Sequence, residues 1–213
     1  ILNDVIKALQ GRGHLFIIGA PSGAGKTSLA RALTSAHPDL EMSISHTTRP
    51  KRPGEIDGID YNFIDREEFN RLKQENAFIE HAKVFDNQYG TSYASIKKIW
   101  DKGKDALLEI DWQGARKIRK SSSACVSIFI IPPSLKVLEE RLRGRGDSKE
   151  DIKRRMRDAQ SEISHYKEFD YLIINENFQD SLRKIKNIIE TEHLTLTSQL
   201  VTHQNLIKEL IAE

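Results

Sequence analysis

Apolar residues recur along the chain in two rhythms. The runs His14-Leu15-Phe16-Ile17-Ile18, Ala106-Leu107-Leu108-Glu109-Ile110-Asp111, residues 126–131 and Tyr171-Leu172-Ile173-Ile174 are short and nearly continuous, and read as buried strands. Between them apolar positions return every three or four residues. That spacing predicts helices over residues 28–33, 92–100, 113–120, from Pro132-Pro133-Ser134 to about 142, and over 150–166. Residues 3–11 read as a lead-in helix, and Pro38 closes the first helix after the glycine-rich stretch. From Asp180 one long helical spacing continues through Leu182, Ile185, Ile189, Leu196, Leu200, Ile207 and Leu210. Strands alternating with helices predict a parallel, doubly wound α/β sheet, with ligands at the carboxyl ends of its strands.

Residues 40–92 break the alternation. Met42-Ser43-Ile44-Ser45 alternates like a strand, but Arg49-Pro50-Lys51-Arg52-Pro53 fits neither a helix nor a central strand. Asp57-Gly58 predicts a hairpin turn, with Tyr61-Asn62-Phe63-Ile64 as the returning strand. Asp65 reads as a helix N-cap with Glu68 as capping-box partner, and residues 78–84 with Asp86-Asn87 predict another hairpin. The segment reads as a small mixed lobe inserted into the core. The expected division is 1–39 plus 93–213 as core, with a lid near 143–157, and 40–92 as the lobe.

The stretch joining the first strand to the first helix carries the clearest chemistry: Gly19-Ala20-Pro21-Ser22-Gly23-Ala24-Gly25-Lys26-Thr27-Ser28. Strand, glycine-rich loop ending in Gly-Lys-Thr, and helix make a phosphate-binding loop. Its glycines let backbone N–H groups converge on phosphate oxygens, and the helix start adds its dipole. Lys26 supplies a mobile charge for the β- and γ-phosphates, and the Thr27 hydroxyl is a Mg²⁺ ligand. Ala20 stands where the usual pattern opens with Gly; its small side chain is expected to fit. The motif specifies a nucleoside triphosphate and leaves the acceptor open.

Composition narrows the setting. Lys plus Arg count 33 and Asp plus Glu 31, a net charge of +2, which gives no case for nucleic-acid or membrane binding. The single cysteine, Cys125, excludes an internal disulfide and fits a reducing compartment. No run approaches the roughly 20 apolar residues of a membrane helix. No signal peptide is read, so a cytoplasmic protein is expected, although the chain starts at Ile1 without Met. Residues 195–213 extend helical spacing beyond what the core needs, either to pair subunits into a homo-oligomer or to pack back.

Other groups are expected at the strand ends. Ser45, Arg49, Arg52 and Tyr61 suit a phosphate monoester, because guanidinium groups grip phosphate in bidentate fashion. Glu80, Tyr89 and Thr91 form a third group. Glu109 and Asp111, ending a core strand, suit a Mg²⁺–water shell or the second substrate. A dense arginine group spans Arg141, Arg143, Arg145, Arg154, Arg155 and Arg157. Singly, each has a plain alternative as a solvated loop, strand or helix face. Together with the phosphate loop they describe a nucleoside monophosphate kinase.

Over nearly its whole length the chain resembles the guanylate kinase family, bacterial type, with the domain at about 13–193. The resemblance rests on residues 20–27, Ser45-His46-Thr47-Thr48-Arg49-Pro50-Lys51-Arg52-Pro53-Gly54-Glu55, Asp60-Tyr61-Asn62-Phe63, Phe78-Ile79-Glu80, Tyr89-Gly90-Thr91, Glu109-Ile110-Asp111-Trp112-Gln113-Gly114, Leu142-Arg143-Gly144-Arg145-Gly146 and Asn175. It implies a parallel core, a GMP-binding lobe and a small lid. It also implies ATP and GMP as substrates, with Mg²⁺. Arg49, Arg52, Tyr61 and Tyr89 match the family's GMP-phosphate ligands; Ser45, Glu80 and Thr91 match its guanine ligands. Glu109 stands where eukaryotic members carry Asp, and Asp111 matches the Mg²⁺–water shell. Arg145 and Arg155 match arginines that embrace the transferring phosphoryl group. Arg141 belongs with the ATP side, and Asn175 matches a residue near the adenine. Related domains that serve only as interaction modules have decayed nucleotide sites; Lys26 and the arginines count against that reading.

Overall fold

The computed structural model describes residues 13–84, 86–121, 125–144, 146 and 148–212; the expected lead-in helix lies outside them. In chain order, β1 (Leu15–Gly19) leads to α1 (Lys26–Ala36) and β2 (Leu40–Met42). Next come β3 (His46–Thr47), β4 (Asn62–Phe63), α2 (Arg66–Gln74), β5 (Phe78–Val84) and β6 (Asn87–Ser92). The chain continues with α3 (Tyr93–Trp100), β7 (Asp105–Glu109), α4 (Trp112–Ser121), β8 (Cys125–Ile131), α5 (Leu135–Gly144) and α6 (Lys149–Ile163). A 3-10 turn (Ser164–Glu168), β9 (Tyr171–Ile174), α7 (Phe178–His193), α8 (Leu196–Thr202) and α9 (Gln204–Ile211) complete it.

Five strands form one wholly parallel sheet in the order β2-β7-β1-β8-β9. All five residues of β1 are buried, because helices cover both faces of a parallel sheet. Leu15, Ile17 and Leu108 face Ile96, Trp100 and Ile118 of α3 and α4. Phe16, Ile18 and Leu107 face Leu29 and Leu33 of α1 and Ile185 and Ile189 of α7. Strand order reverses beside β1, so the loop after it opens into a crevice.

The second sheet, β4-β3-β6-β5, is mixed. Its β5–β6 hairpin is antiparallel as the sequence predicts. The expected hairpin through Asp57-Gly58 does not form: β3 and β4 run parallel. The backbone just before the turn is spent locally: Ile56 N donates to Asp60 Oδ2 at 2.7 Å, and Ile56 O accepts from Ile59 N and Asp60 N. The Asp57-Gly58 signal closes a local loop instead, with Gly58 N donating to Tyr61 O at 2.8 Å and Phe63 N to the Asp57 carboxylate at 2.9 Å. The predicted 42–45 strand is divided. Met42 ends β2 in the parallel sheet, whereas Asn62 N donates to Ser45 O beside the second.

Asp65 caps α2, accepting from Glu68 N at 2.8 Å, but the Glu68 carboxylate turns to Arg71 rather than back to the cap. The single helix expected from Asp180 is three. Thr195 takes extended dihedrals and accepts from Ser198 N, restarting the chain as α8, and His203 separates α8 from α9.

Candidate active site

The phosphate loop leaves β1 at the carboxyl edge of the parallel sheet. Gly25 precedes α1 in the left-handed region (φ 98°). A Cβ there would also stand 2.5 Å from the amide nitrogen of Asn175, so only Gly fits. Ala20 packs into the core, as its size allows.

A cleft of about 1700 Å³ separates this loop from the second sheet. Ala20, Pro21, Ser22, Gly23, Gly25, Lys26, Thr27 and Ser28 line its floor; Ala24 lies beneath, fully buried. Lys26 Nζ rests on Ile110 O at 3.2 Å, and Thr27 Oγ1 donates to Glu109 Oε1 at 2.5 Å. Asp111 starts α4: its Oδ1 accepts from Gly114 N at 2.8 Å. Thr27, Glu109 and Asp111 make an all-oxygen donor set suited to a hard divalent cation.

The facing wall carries two groups. The Arg49 guanidinium lies 5.5 Å from the Tyr61 ring centroid and 5.6 Å from that of Phe63, and donates to Glu55 Oε1 at 2.6 Å. Glu55 Oε2 also accepts from the Arg52 backbone, so this glutamate shapes the loop and holds Arg49 in place. Tyr61 meets Tyr89 edge to face at 5.9 Å, and burial pushes its phenol up from its ordinary value. The basic loop therefore turns Arg49 inward, while Arg52 stays exposed at the cleft rim.

Glu80 is only 4% exposed, which removes the solvent-facing alternative. A register shift between Phe78 and Glu80, a β-bulge, sets Glu80 opposite Thr91. Thr91 Oγ1 donates to Glu80 Oε1 at 2.7 Å, and Ser45 Oγ lies 3.2 Å from Thr91 Oγ1. Burial raises the Glu80 carboxyl to about 7, against the lowering effect of the Thr91 hydrogen bond. Gly114 makes the space: a Cβ there would sit 2.6 Å from Glu80 Oε2.

The arginine group divides. Arg155 donates to Ser22 Oγ at 2.6 Å, and Arg141 donates to Asn175 O at 3.0 Å. Arg143 pairs with Glu139 along α5, and Arg154 lies 3.7 Å from Asp86. Arg145 lies outside the described residues. The Asn175 amide donates to Ala24 O at 2.8 Å and so braces the phosphate loop. Sequence reasoning missed Glu162. It is half-buried on α6 and lines the cleft near Lys26 and Asp111; burial raises its carboxyl to about 7 against the pull of Lys26. Its helix is otherwise charge-rich, so no local signal marks it.

A sequence model of the guanylate kinase family matches residues 12–192. The chain belongs to the guanylate kinase family. It is 51% identical to the guanylate kinase of Methylococcus capsulatus over 201 residues, covering 94% of this chain and 98% of that protein. It is 52% identical to that of Pseudomonas fluorescens, with 93% and 97% covered. The crystal structure of guanylate kinase from Anaplasma phagocytophilum aligns with a TM-score of 0.78 at 36% identity, covering 94% of this chain and 97% of that one. The parallel core and mixed second sheet are thus those of a guanylate kinase. Among the described residues no helix is long and apolar enough to cross a membrane.

Proposed function

We infer that the chain transfers the γ-phosphoryl group of ATP to GMP, giving ADP and GDP. The observation that carries this reading is the pairing of the phosphate loop with a buried, hydroxyl-linked carboxylate, Glu80, across one cleft. ATP lies on residues 20–28 with Arg141 and Asn175 behind the loop. The GMP phosphate lies at Arg49, Arg52, Tyr61 and Tyr89, and its guanine at Ser45, Glu80 and Thr91. Glu109 and Asp111 stand between the two. The parallel-sheet residues form the core, 40–92 the GMP lobe apart from the β2 edge strand, and 143–157 the lid.

An oxygen of the GMP phosphate forms a bond to the γ-phosphorus as the bond from that phosphorus to the β-phosphate bridge breaks. The attacking phosphate is ionised near neutral pH, so positioning and charge stabilisation dominate. Lys26, Arg155 and Arg145 spread over the transferring group. Thr27 and Asp111 would hold Mg²⁺, which when bound would neutralise phosphate charge. Cys125 is buried, and one cysteine cannot form an internal disulfide, in keeping with a cytoplasmic setting. A coupled assay of ATP with GMP, AMP, CMP and UMP tests the reading: GMP turnover should far exceed the others. Equal rates would refute it.

A further inference from the structure

The amino ends of the parallel strands hold a second polar cluster. His14 precedes β1, Asp105 opens β7, and His193 ends α7. Asp105 is four residues along β7 from Glu109, about 13 Å at 3.3 Å per residue, so the cluster is separate from the nucleotide cleft. We propose that His14, Asp105 and His193 form a transition-metal site, best matched to Zn²⁺, that clips the end of α7 to the core sheet.

One donor atom from each side chain lies within 4.8 Å of the others. His193 Nε2 is 2.6 Å from Asp105 Oδ2, and His14 Nδ1 is 3.3 Å from Asp105 Oδ1. The two rings stand 4.6 Å apart, tilted by 50°. Asp105 is nearly buried at 8% side-chain exposure, while the imidazoles keep 26% and 32% and leave an entry path. Supporting contacts orient the donors. His14 Nε2 meets Ser198 Oγ at 2.8 Å, which leaves Nδ1 toward the carboxylate, and the His14 backbone N–H donates to Asp105 Oδ1 at 2.7 Å. A third imidazole, His37, has its ring 6.4 Å from that of His193, and its buried Nδ1 has no hydrogen-bond partner among the described residues.

Two imidazoles and one carboxylate match Zn²⁺, with water at the fourth tetrahedral position; Mg²⁺ prefers oxygen alone. The site does not rest on the kinase reading.

The full chain, stripped with chelator, is titrated with Zn²⁺, with Co²⁺ as a spectroscopic substitute and with Mg²⁺ alone. The expected result is one equivalent of Zn²⁺ bound, a rise in Tm with Zn²⁺ but not Mg²⁺, and the visible absorption of tetrahedral Co²⁺. His193→Gln and His14→Gln should each weaken Zn²⁺ binding by more than about 10-fold, beyond the low end of what a lost supporting group costs. They should leave metal-free Tm and Mg²⁺-supported phosphoryl transfer near parent values. His81→Gln, which removes a histidine outside the cluster, should bind Zn²⁺ like the parent. Absence of stoichiometric binding overturns the proposal. So does equal affinity in the parent and both cluster variants, which would place the ion elsewhere.

Discussion

At the residue scale, Glu80 is the proposed reader of the base. Guanine presents N1–H and an exocyclic NH₂ side by side, two donors for two carboxylate oxygens. Adenine presents an acceptor there and would leave a buried carboxylate unpaired. Glu80→Gln should lose about 2–4 kcal/mol in kcat/KM for GMP and change AMP far less, so the preference narrows. If GMP preference over AMP stays at its parent value, Glu80 is not the base reader. Acidity gives a second test. The Glu80 carboxyl is raised from 4.5 to about 7 in the folded chain, so the folded state holds its proton longer than the unfolded state. Stability associated with this proton is present below pH 4.5 and falls as pH rises toward 7, by about 3 kcal/mol in all. Glu80→Gln should therefore raise the Tm of the nucleotide-free chain more at pH 8 than at pH 5. If Glu80 reads guanine, binding needs its ionised form, so KM for GMP should fall about tenfold from pH 6 to pH 8. The GMP phosphate also ionises near pH 6; the residual slope in Glu80→Gln measures that part. Gly114→Ala, which places a methyl against Glu80 Oε2, should raise KM for GMP and leave KM for ATP near its parent value. Lys26→Ala removes a charge held over the phosphate loop. It should lower kcat by about 10²-fold or more with GMP binding little changed, and near-normal turnover would remove the loop from the mechanism.

At the element scale, the second sheet has little core of its own. Phe69 of α2 is fully buried and stacks on Phe78 of β5 at 4.7 Å. That contact fixes the helix on the hairpin that carries Glu80 and Thr91. Phe69→Ala should destabilise the lobe by about 3–5 kcal/mol. Because the parallel sheet does not depend on that ring, KM for GMP should rise well before KM for ATP. Parallel increases in both, measured with the other substrate saturating, would show that the lobe and core loosen together.

Across the whole molecule, two ion pairs among the described residues connect the halves of the cleft. Arg31 of α1 pairs with Asp60, and Arg154 of α6 lies 3.7 Å from Asp86. Both arginines are exposed, and such pairs contribute roughly 0–1 kcal/mol. They are too weak to hold the cleft shut. On the proposed reading, the substrate phosphates would draw Arg49 and Arg155 from opposite walls and supply the larger force, and the closed site would keep water from the γ-phosphate. The radius of gyration by small-angle scattering should fall when GMP and a non-hydrolysable ATP analogue are added, and should do so in Arg31→Ala as well. An unchanged radius would show that the cleft is already closed.

The one-dimensional pattern determined those features whose cause is local. Continuous apolar runs became strands of a parallel sheet because that sheet is buried on both faces. Gly25-Lys26-Thr27 formed a phosphate loop because strand, glycine and helix follow one another without a gap. Asp65 capped its helix for the same reason: donor and acceptor are three residues apart. The tertiary structure alone decided where distant segments meet. Asp57-Gly58 has the chemistry of a hairpin turn, but the flanking backbone is taken up locally: Ile56 N donates to the Asp60 carboxylate, and Ile56 O accepts from Ile59 N and Asp60 N. The helical spacing after Asp180 is continuous, but Thr195 satisfies Ser198 N and restarts the chain. Glu80 resembles any strand carboxylate until a bulge, Thr91 and the empty space over Gly114 enclose it. Glu162 enters the cleft, and His14, Asp105 and His193 converge, through contacts between residues far apart in sequence. Burial sets the acidity of Glu80 and Glu162, and burial belongs to the packed chain rather than to the residue.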